Sequence, residues 1–503
     1  MSGSSSRQLV QLIGLPVLIV LLFEHIPKNV TCQAWEPPVV LVSTGVSSAY
    51  PRICCLDNTL HVVWIDRRDN GSYPQIYYKK SEDAGMTWLP GKRLSYPDDS
   101  QCVMPDITVS RDYPFVKDYI HVVWEQYQYG ITGPKLTLCK SIDGGENFFS
   151  PWIIAGSSYA GISDPKLSAT GTNVYIAGGF YNSLWEYQIG CVYSGDAGGS
   201  YTGPVFISDP AQLSSLPAIA ATGSRVYLMW DQVALAAAPV EIFVSQSFDD
   251  GWHWEPPVFF KDPMVNSSRI DLYASDENCY MTWEDERHGS SQIYFSMTND
   301  NGNSWSEDIM ISENTGNNHY CPEVVADGNR IHIVWHDAST QHIMYRFSAD
   351  NGNTWEPSQD ISNGERTTWP TIAAENGKIY IVYQITNDGT VWDIGFRSAM
   401  DDFSVNEPGG SMGTPALHQN YPNPFHGSTL ISFFIPEKAI VSICIYNQAG
   451  EPMEEIAEGS YNVGEHSLTW NAEKYSRGLY YQVMNIARVG KETKTLCNKM
   501  IIY

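Results

Sequence analysis

Ser81-Glu-Asp-Ala-Gly-Met-Thr-Trp88 decides the fold, because it returns. Ser247-Phe-Asp-Asp-Gly-Trp-His-Trp254 and Ser348-Ala-Asp-Asn-Gly-Asn-Thr-Trp355 share its S-x-D-x-G-x-x-W frame, and Ser141 to Phe148, Ser194 to Tyr201 and Thr298 to Trp305 carry variants. The aspartates, at 83, 143, 196, 249, 300 and 350, recur every 50 to 60 residues, the mark of a repeated supersecondary unit. Ser398 to Phe403, with Asp401, reads as a seventh, degraded copy. The frame suits a hairpin turn: an Asp carboxylate accepts hydrogen bonds from amides across the turn, Gly tolerates positive φ, and the aromatic residue tucks against the next strand.

Upstream of each box runs a Pro-centred start, an apolar strand, a short turn and a second strand ending in an aromatic residue. His61-Val-Val-Trp64, His121-Val-Val-Trp124, Tyr227-Leu-Met-Trp230, Tyr280-Met-Thr-Trp283, His332-Ile-Val-Trp335 and Tyr380-Ile-Val-Tyr383 are its clear statements, and Tyr175-Ile-Ala-Gly178 is a degenerate one. A third strand such as Gln75-Ile-Tyr-Tyr78 follows, then the box, then an apolar fourth strand ending in Leu94-Ser95, Ile311-Ser312 or Ile361-Ser362. Four short strands per unit predict propeller blades.

These turns resemble the Asp-box, or bacterial neuraminidase repeat. The resemblance implies an all-β, seven-bladed β-propeller over 35–405, with six blades as the alternative, and boxes that serve as structural turns at the blade periphery. Trp35-Glu-Pro-Pro-Val-Val-Leu-Val-Ser43 reads as the strand missing from the last unit, so the N-terminal strand is expected to close the ring and remove an open edge.

The chain has 503 residues and a formal net charge of −26, which repels phosphate backbones and anionic membranes and argues against a nucleic-acid partner. Arg7 and the apolar stretch Leu9 to Phe23 read as a signal peptide over 1–34, with no membrane insertion once it is removed. Cys54, Cys55, Cys102, Cys139, Cys191, Cys279 and Cys321 fall mostly in apolar strand patterns and read as buried thiols. Without a CxxC motif, a Cys/His cluster or EF-hand spacing, neither a metal nor any other cofactor is expected.

Composition turns rich in Gly and Pro at 406–415, a predicted linker, and a small Ig-like β-sandwich is expected over 416–503. The Gln419-Asn-Tyr-Pro-Asn-Pro424 opening, Gly464-Glu-His-Ser-Leu-Thr-Trp470, Ser476-Arg-Gly-Leu-Tyr-Tyr481 and the closing Lys499-Met-Ile-Ile-Tyr503 resemble the C-terminal sorting domain of type IX secretion substrates. That resemblance implies export to the cell exterior and the type IX machinery as a partner.

If first strands line the channel, ligand would bind where they start, opposite the boxes. Carboxylates ring that face, at Asp66, Glu125, Asp231, Glu284, Asp285 and Asp337. Asp-box propellers include sialidases, and Tyr50-Pro-Arg-Ile53 with Ile65-Asp-Arg-Arg68 bears some resemblance to their first blade. It implies Arg52 as one member of a carboxylate clamp, Asp66 as acid/base residue, Arg269 as a second clamp member, and Glu284 with Tyr320 as the Glu and Tyr pair. Arg68, Arg287, Asp337 and Trp369 are substrate-binding candidates. The other blade starts, at Asp106, Lys166, Ala218, Glu323 and Thr371, offer no arginine. Asp66 with Arg68 and Asp285 with Arg287 also fit a loop brace. Three readings stand: a sialidase-like propeller acting on or binding extracellular glycans or glycoproteins, a non-catalytic adhesion propeller, and a hydrolase of neutral polysaccharide using a carboxylate pair.

Overall fold

The computed structural model describes residues 35–502, apart from 70–72, 97–99, 113–116, 128–132, 156–161, 182–185, 234–238, 261–265, 314, 387 and 401–415, and, in the C-terminal module, 418–419, 421–422, 424, 436–437, 449, 463 and 488–493. The signal-peptide reading, the linker and the second half of the degraded seventh box, 401–403, lie outside the described residues. Among those described there is no helix.

Seven four-stranded antiparallel sheets follow one another between Val39 and Met400. Their innermost strands are Ser48–Leu56, Gln101–Asp112, Ile162–Thr170, Leu213–Thr222, Ser267–Ser275, His319–Asp327 and Arg366–Glu375. Each innermost strand neighbours the next, and the last neighbours the first, so the sheets stand as blades around an axis. The second strands are buried almost throughout, as the VVW-type patterns require. Their aromatic ends fill the spaces between blades: Trp64, Trp124, Trp230, Trp283 and Trp335 are among the largest fully buried side chains. One such tryptophan contributes ~3–5 kcal/mol of stability relative to alanine.

The seventh sheet is completed by Val39–Val42, which pairs with Asp393–Met400. Val39 lies opposite Phe396, and Trp35 stacks edge-on against Tyr345 of the sixth sheet with ring centroids 4.9 Å apart. The expected closure by the N-terminal strand is thus what the sheet order shows.

Each box is the hairpin between third and fourth strands. In the first, Ser81 Oγ donates to Asp83 Oδ1 at 2.9 Å and accepts from the Gly85 amide at 2.9 Å; the Thr87 amide donates to Asp83 Oδ1 at 2.7 Å, and Trp88 Nε1 donates to the Gly85 carbonyl at 3.1 Å. Asp143, Asp196, Asp249, Asp300 and Asp350 repeat the carboxylate pattern. At Gly85 φ is +87°, and a Cβ there would stand 2.4 Å from Phe396 of the preceding blade, so glycine is required twice over. The serines that end the fourth strands also recur: Ser95, Ser208, Ser312 and Ser362 each accept from a third-strand amide.

The C-terminal module is a sandwich of two sheets. One contains Ala416–Leu417, Ser428–Ile435 and Gly464–Asn471; the other contains Pro452–Tyr461, Ala439–Asn447, Gly478–Ala487 and Lys494–Ile502. Phe433, Ile443, Trp470, Met484 and Met500 share its core. Asn423 of the opening motif pins the final strand, accepting from the Ile501 amide at 2.8 Å and donating to the Lys499 carbonyl at 3.1 Å.

Candidate functional site: the axial mouth

Every innermost strand carries a bulge two or three residues inside its start, where its register against the second strand shifts. The first bulged residue is left-handed in all seven blades: Tyr50, Met104, Asp164, Leu216, Arg269, Cys321 and Trp369 have φ between 48° and 54°. None is glycine, and a left-handed non-glycine residue costs ~1–2 kcal/mol. All seven line one cavity of about 140 Å³ on the axis, which the following residue, proline in six blades and Ile270 in the fifth, lines as well. Strand alternation puts this mouth at the end opposite the boxes.

The strain is held by neighbours. Amides of four of these residues donate across a blade boundary to side chains that follow the second-strand aromatic. Asp164 donates to Glu125 Oε1 at 2.6 Å, Arg269 to Asp231 Oδ2 at 3.3 Å, Cys321 to Glu284 Oε1 at 2.8 Å, and Tyr50 to Gln384 Oε1 at 3.0 Å. Of the six carboxylates expected to ring the mouth, Glu125, Asp231 and Glu284 stand beside it, where they latch one blade to the next.

Burial raises these carboxyls. It pushes Glu284 up to about 7 against the Cys321 amide and the Arg269 charge, and Glu125 up to about 6 against hydrogen bonds from Asp164 and Tyr127. Asp231 and Asp164 are raised for the same reason. Asp231 is 3% exposed, and its Oδ1 has no hydrogen-bond partner.

Below the mouth lies a layer of charge. Arg52, Lys166, Asp271 and Glu323 line both the mouth and a second axial cavity of about 340 Å³. Arg52 is ion-paired with Glu323 and lies 3.9 Å from Asp106. The carboxylates also tie blades together, Asp106 Oδ2 accepting from the Leu167 amide at 2.7 Å and Asp271 Oδ2 from the Val324 amide at 2.9 Å. Burial and the neighbouring Glu323 push Asp271 up to about 7. Burial pulls the Lys166 ammonium down, helped by the Arg52 charge.

The sequence-derived candidates divide accordingly. Arg269, Glu284 and Trp369 come together: Arg269 Nε is 3.7 Å from Glu284 Oε1 and its guanidinium lies 5.6 Å from the Trp369 ring centroid, while Tyr50 packs edge-on against Trp369 at 5.0 Å. Arg52 is in the floor layer, two residues deeper than Arg269, so the two arginines do not occupy equivalent positions, although both line the mouth. Tyr320 is also displaced, because the bulge turns Cys321 and not Tyr320 into the cavity; Glu284 accepts from the Cys321 amide.

Asp66 is a brace. Fully buried, it accepts from Ser48 Oγ at 3.0 Å, Trp64 Nε1 at 3.1 Å, the Arg68 amide at 2.9 Å and Arg68 Nη2 at 2.6 Å. Burial works against its charge, yet the bonds from Arg68 and Trp64 hold the carboxyl below its ordinary range. Asp285 repeats this with Ser267, Trp283 and Arg287. Arg68 and Arg287 stack on Tyr77 and Tyr294, each 4.2 Å from the ring centroid, and Asp337 caps the loop amides of Ser339 and Thr340. The contacts that Asp66, Arg68, Arg287 and Asp337 make are thus those of a loop brace, the other role the sequence offered for the Asp and Arg pairs.

Sequence reasoning passed over the pairing of Tyr127 with Glu125, whose Oε2 accepts from the Tyr127 hydroxyl at 2.9 Å. It also passed over Tyr187, whose hydroxyl lies 2.5 Å from Ser163 Oγ in space that Gly179 leaves open. The signal for the mouth itself was visible: a proline follows the left-handed residue at Pro51, Pro105, Pro165, Pro217, Pro322 and Pro370.

Residues 419–503 match the family described as Secretion system C-terminal sorting domain. The chain is exported. Its destination is the cell exterior or the outer cell surface, by the type IX route. No curated protein sequence matches the chain. Among solved structures it is similar to a Hadza microbial sialidase, Hz136, at 16% identity and a TM-score of 0.43, covering 70% of this chain and 66% of that one. A sialidase of Trypanosoma rangeli, in a mutant with trans-sialidase activity, is similar at 12% identity and a TM-score of 0.40, with 90% and 83% covered. A polysaccharide lyase of family PL25, an ulvan lyase, is similar at 8% identity and a TM-score of 0.47, with 71% and 94% covered.

Proposed function

We propose that this is an exported propeller that binds extracellular glycans at its axial mouth, taking a sugar ring on Trp369 and Tyr50 and an anionic substituent on Arg269. The observation that carries this reading is the ring of seven strained, non-glycine residues at one end of the axis, which includes an aromatic pair beside a half-exposed arginine. Aromatic faces take the apolar side of a sugar, and a guanidinium matches a carboxylate or sulfate. The pairing of Arg52 with Glu323 and Asp106 leaves Arg269 as the cation at mouth level, which favours binding over an exo-sialidase clamp. On a glycan array, Trp369→Ala and Arg269→Ala are each expected to lower binding about tenfold. Unchanged array profiles for both variants would remove the mouth from consideration.

Glycan cleavage is the second reading, favoured by the raised carboxyls Glu284 and Glu125, groups poised to exchange a proton near neutral pH. Product release from a panel of fluorogenic glycosides, lost in Glu284→Gln or Glu125→Gln, supports it. Release from a sialoside specifically, lost in Arg52→Ala, would restore the sialidase reading.

A further inference from the structure

The six boxes share a turn but present different side chains to solvent. The residue after the box glycine is Met86, Glu146, Gly199, Trp252, Asn303 or Asn353, so the turn does not call for an aromatic there. In the fourth box Trp252 is nonetheless a tryptophan, and it is 61% exposed. It is not the tryptophan of the frame; that is Trp254, whose Nε1 donates to the Gly251 carbonyl at 3.0 Å.

Trp252 is held in place from beneath. Its ring meets Tyr193 of the neighbouring blade edge-on, with centroids 5.6 Å apart. The Tyr193 hydroxyl donates to Asn173 Oδ1 at 3.0 Å, and Asn173 Nδ2 donates to Asp250 Oδ1 at 2.9 Å, which closes a brace back to the same box. The next residue is His253, with a side chain 89% exposed, whose Nδ1 is engaged by Asp249 and whose Nε2 is the ring nitrogen left for a ligand.

We infer that the fourth box carries a second carbohydrate site, at the end of the propeller opposite the mouth, which takes the C–H face of a neutral sugar ring on Trp252 and a sugar hydroxyl on His253. A flat exposed indole, followed in sequence by an exposed hydrogen-bonding side chain, suits an amphipathic ring. Trp252, His253 and Tyr193, even with the exposed Phe248 of the same box, are far fewer than the ~20–30 residues a side of a stable protein interface, which favours a small ligand over a second chain. The net charge of −26 disfavours anionic partners at a surface that offers no arginine clamp, which favours a neutral ligand. The site stands apart from the proposed mouth, so either can fail alone.

The test is affinity electrophoresis of the full chain in gels containing a soluble β-glucan, a mannan or a xylan, with thermal melts and sedimentation velocity on the same samples. At least one polysaccharide is expected to retard the wild type, Trp252→Ala to lose about tenfold in affinity with an unchanged melt, and Trp369→Ala to remain retarded. The inference is overturned by absence of retardation on all three, by equal retardation of Trp252→Ala, or by a sedimentation change in Trp252→Ala that marks the patch as a contact between copies.

Discussion

The two ends of the propeller repeat differently. At the box end the side chains repeat: Ser or Thr, Asp and Gly recur and make the same bonds in six blades, and the sequence shows it. At the mouth end the backbone and a following proline repeat while the lining side chain varies: seven left-handed residues at almost one φ carry seven different side chains, with proline next in six. Invariant chemistry at one end marks a part selected for stability. Invariant geometry with varied chemistry at the other marks a display surface, where the ring of blades fixes positions and each position is free to differ.

Four substitutions can break or sharpen that contrast. Gly85→Val is expected to cost most, ~3 kcal/mol or more, because it combines a left-handed β-branched residue with a clash against Phe396; denaturant unfolding would read it. Asp350→Ala, which removes the acceptor for Ser348, the Thr354 amide and the Thr354 hydroxyl, should cost ~2 kcal/mol by the same measurement and leave glycan binding unchanged.

Glu284→Gln should alter the pH dependence. The Glu284 carboxyl sits at about 7 in the fold against an ordinary 4.5, so its contribution to stability is complete below pH 4.5 and is lost as pH rises through 7. The glutamine keeps an acceptor for the Cys321 amide without a charge to desolvate. The melting temperature of the variant should therefore fall less between pH 5 and pH 8 than that of the wild type, by the equivalent of ~2 kcal/mol. Identical pH profiles would mean the latch is not strained by its charge.

Met104→Gly is the smallest effect. Relief of the left-handed penalty outweighs the added freedom of the unfolded chain, for a net gain of up to ~1 kcal/mol. A loss of more than ~1 kcal/mol would show that the mouth side chains are packing elements, which would erase the difference between the ends.

The same contrast explains what the sequence disclosed. Box turns, second strands and the closing strand Val39–Val42 were legible because each rests on a local pattern: a turn residue, a buried run, or the Trp-Glu-Pro start that Trp35 shares with Trp254 and Trp355. The mouth was less legible because a bulge is a matter of register. Tyr50-Pro-Arg52 and Arg269-Ile-Asp271 look alike as arginine-bearing starts, yet alignment on Pro51 and Ile270 sets Arg269 with Tyr50 and Asp271 with Arg52. Asp66 misled for a related reason. An acidic residue at a strand end reads the same whether it faces ligand or, as here, a tryptophan and an arginine of its own sheet.

The seam between Val39–Val42 and Asp393–Met400 sets the order of assembly. Partners such as Val39 and Phe396 stand at opposite ends of the propeller sequence, and to bring together the ends of so long a span costs ~5 kcal/mol of chain entropy before any blade contact offsets it. Individual blades pair strands that are near neighbours in the chain and bear little of that cost. The circle should thus form from its hairpins first and zip shut last, and until it does both the first residues and the seventh sheet keep a raw edge exposed to other chains.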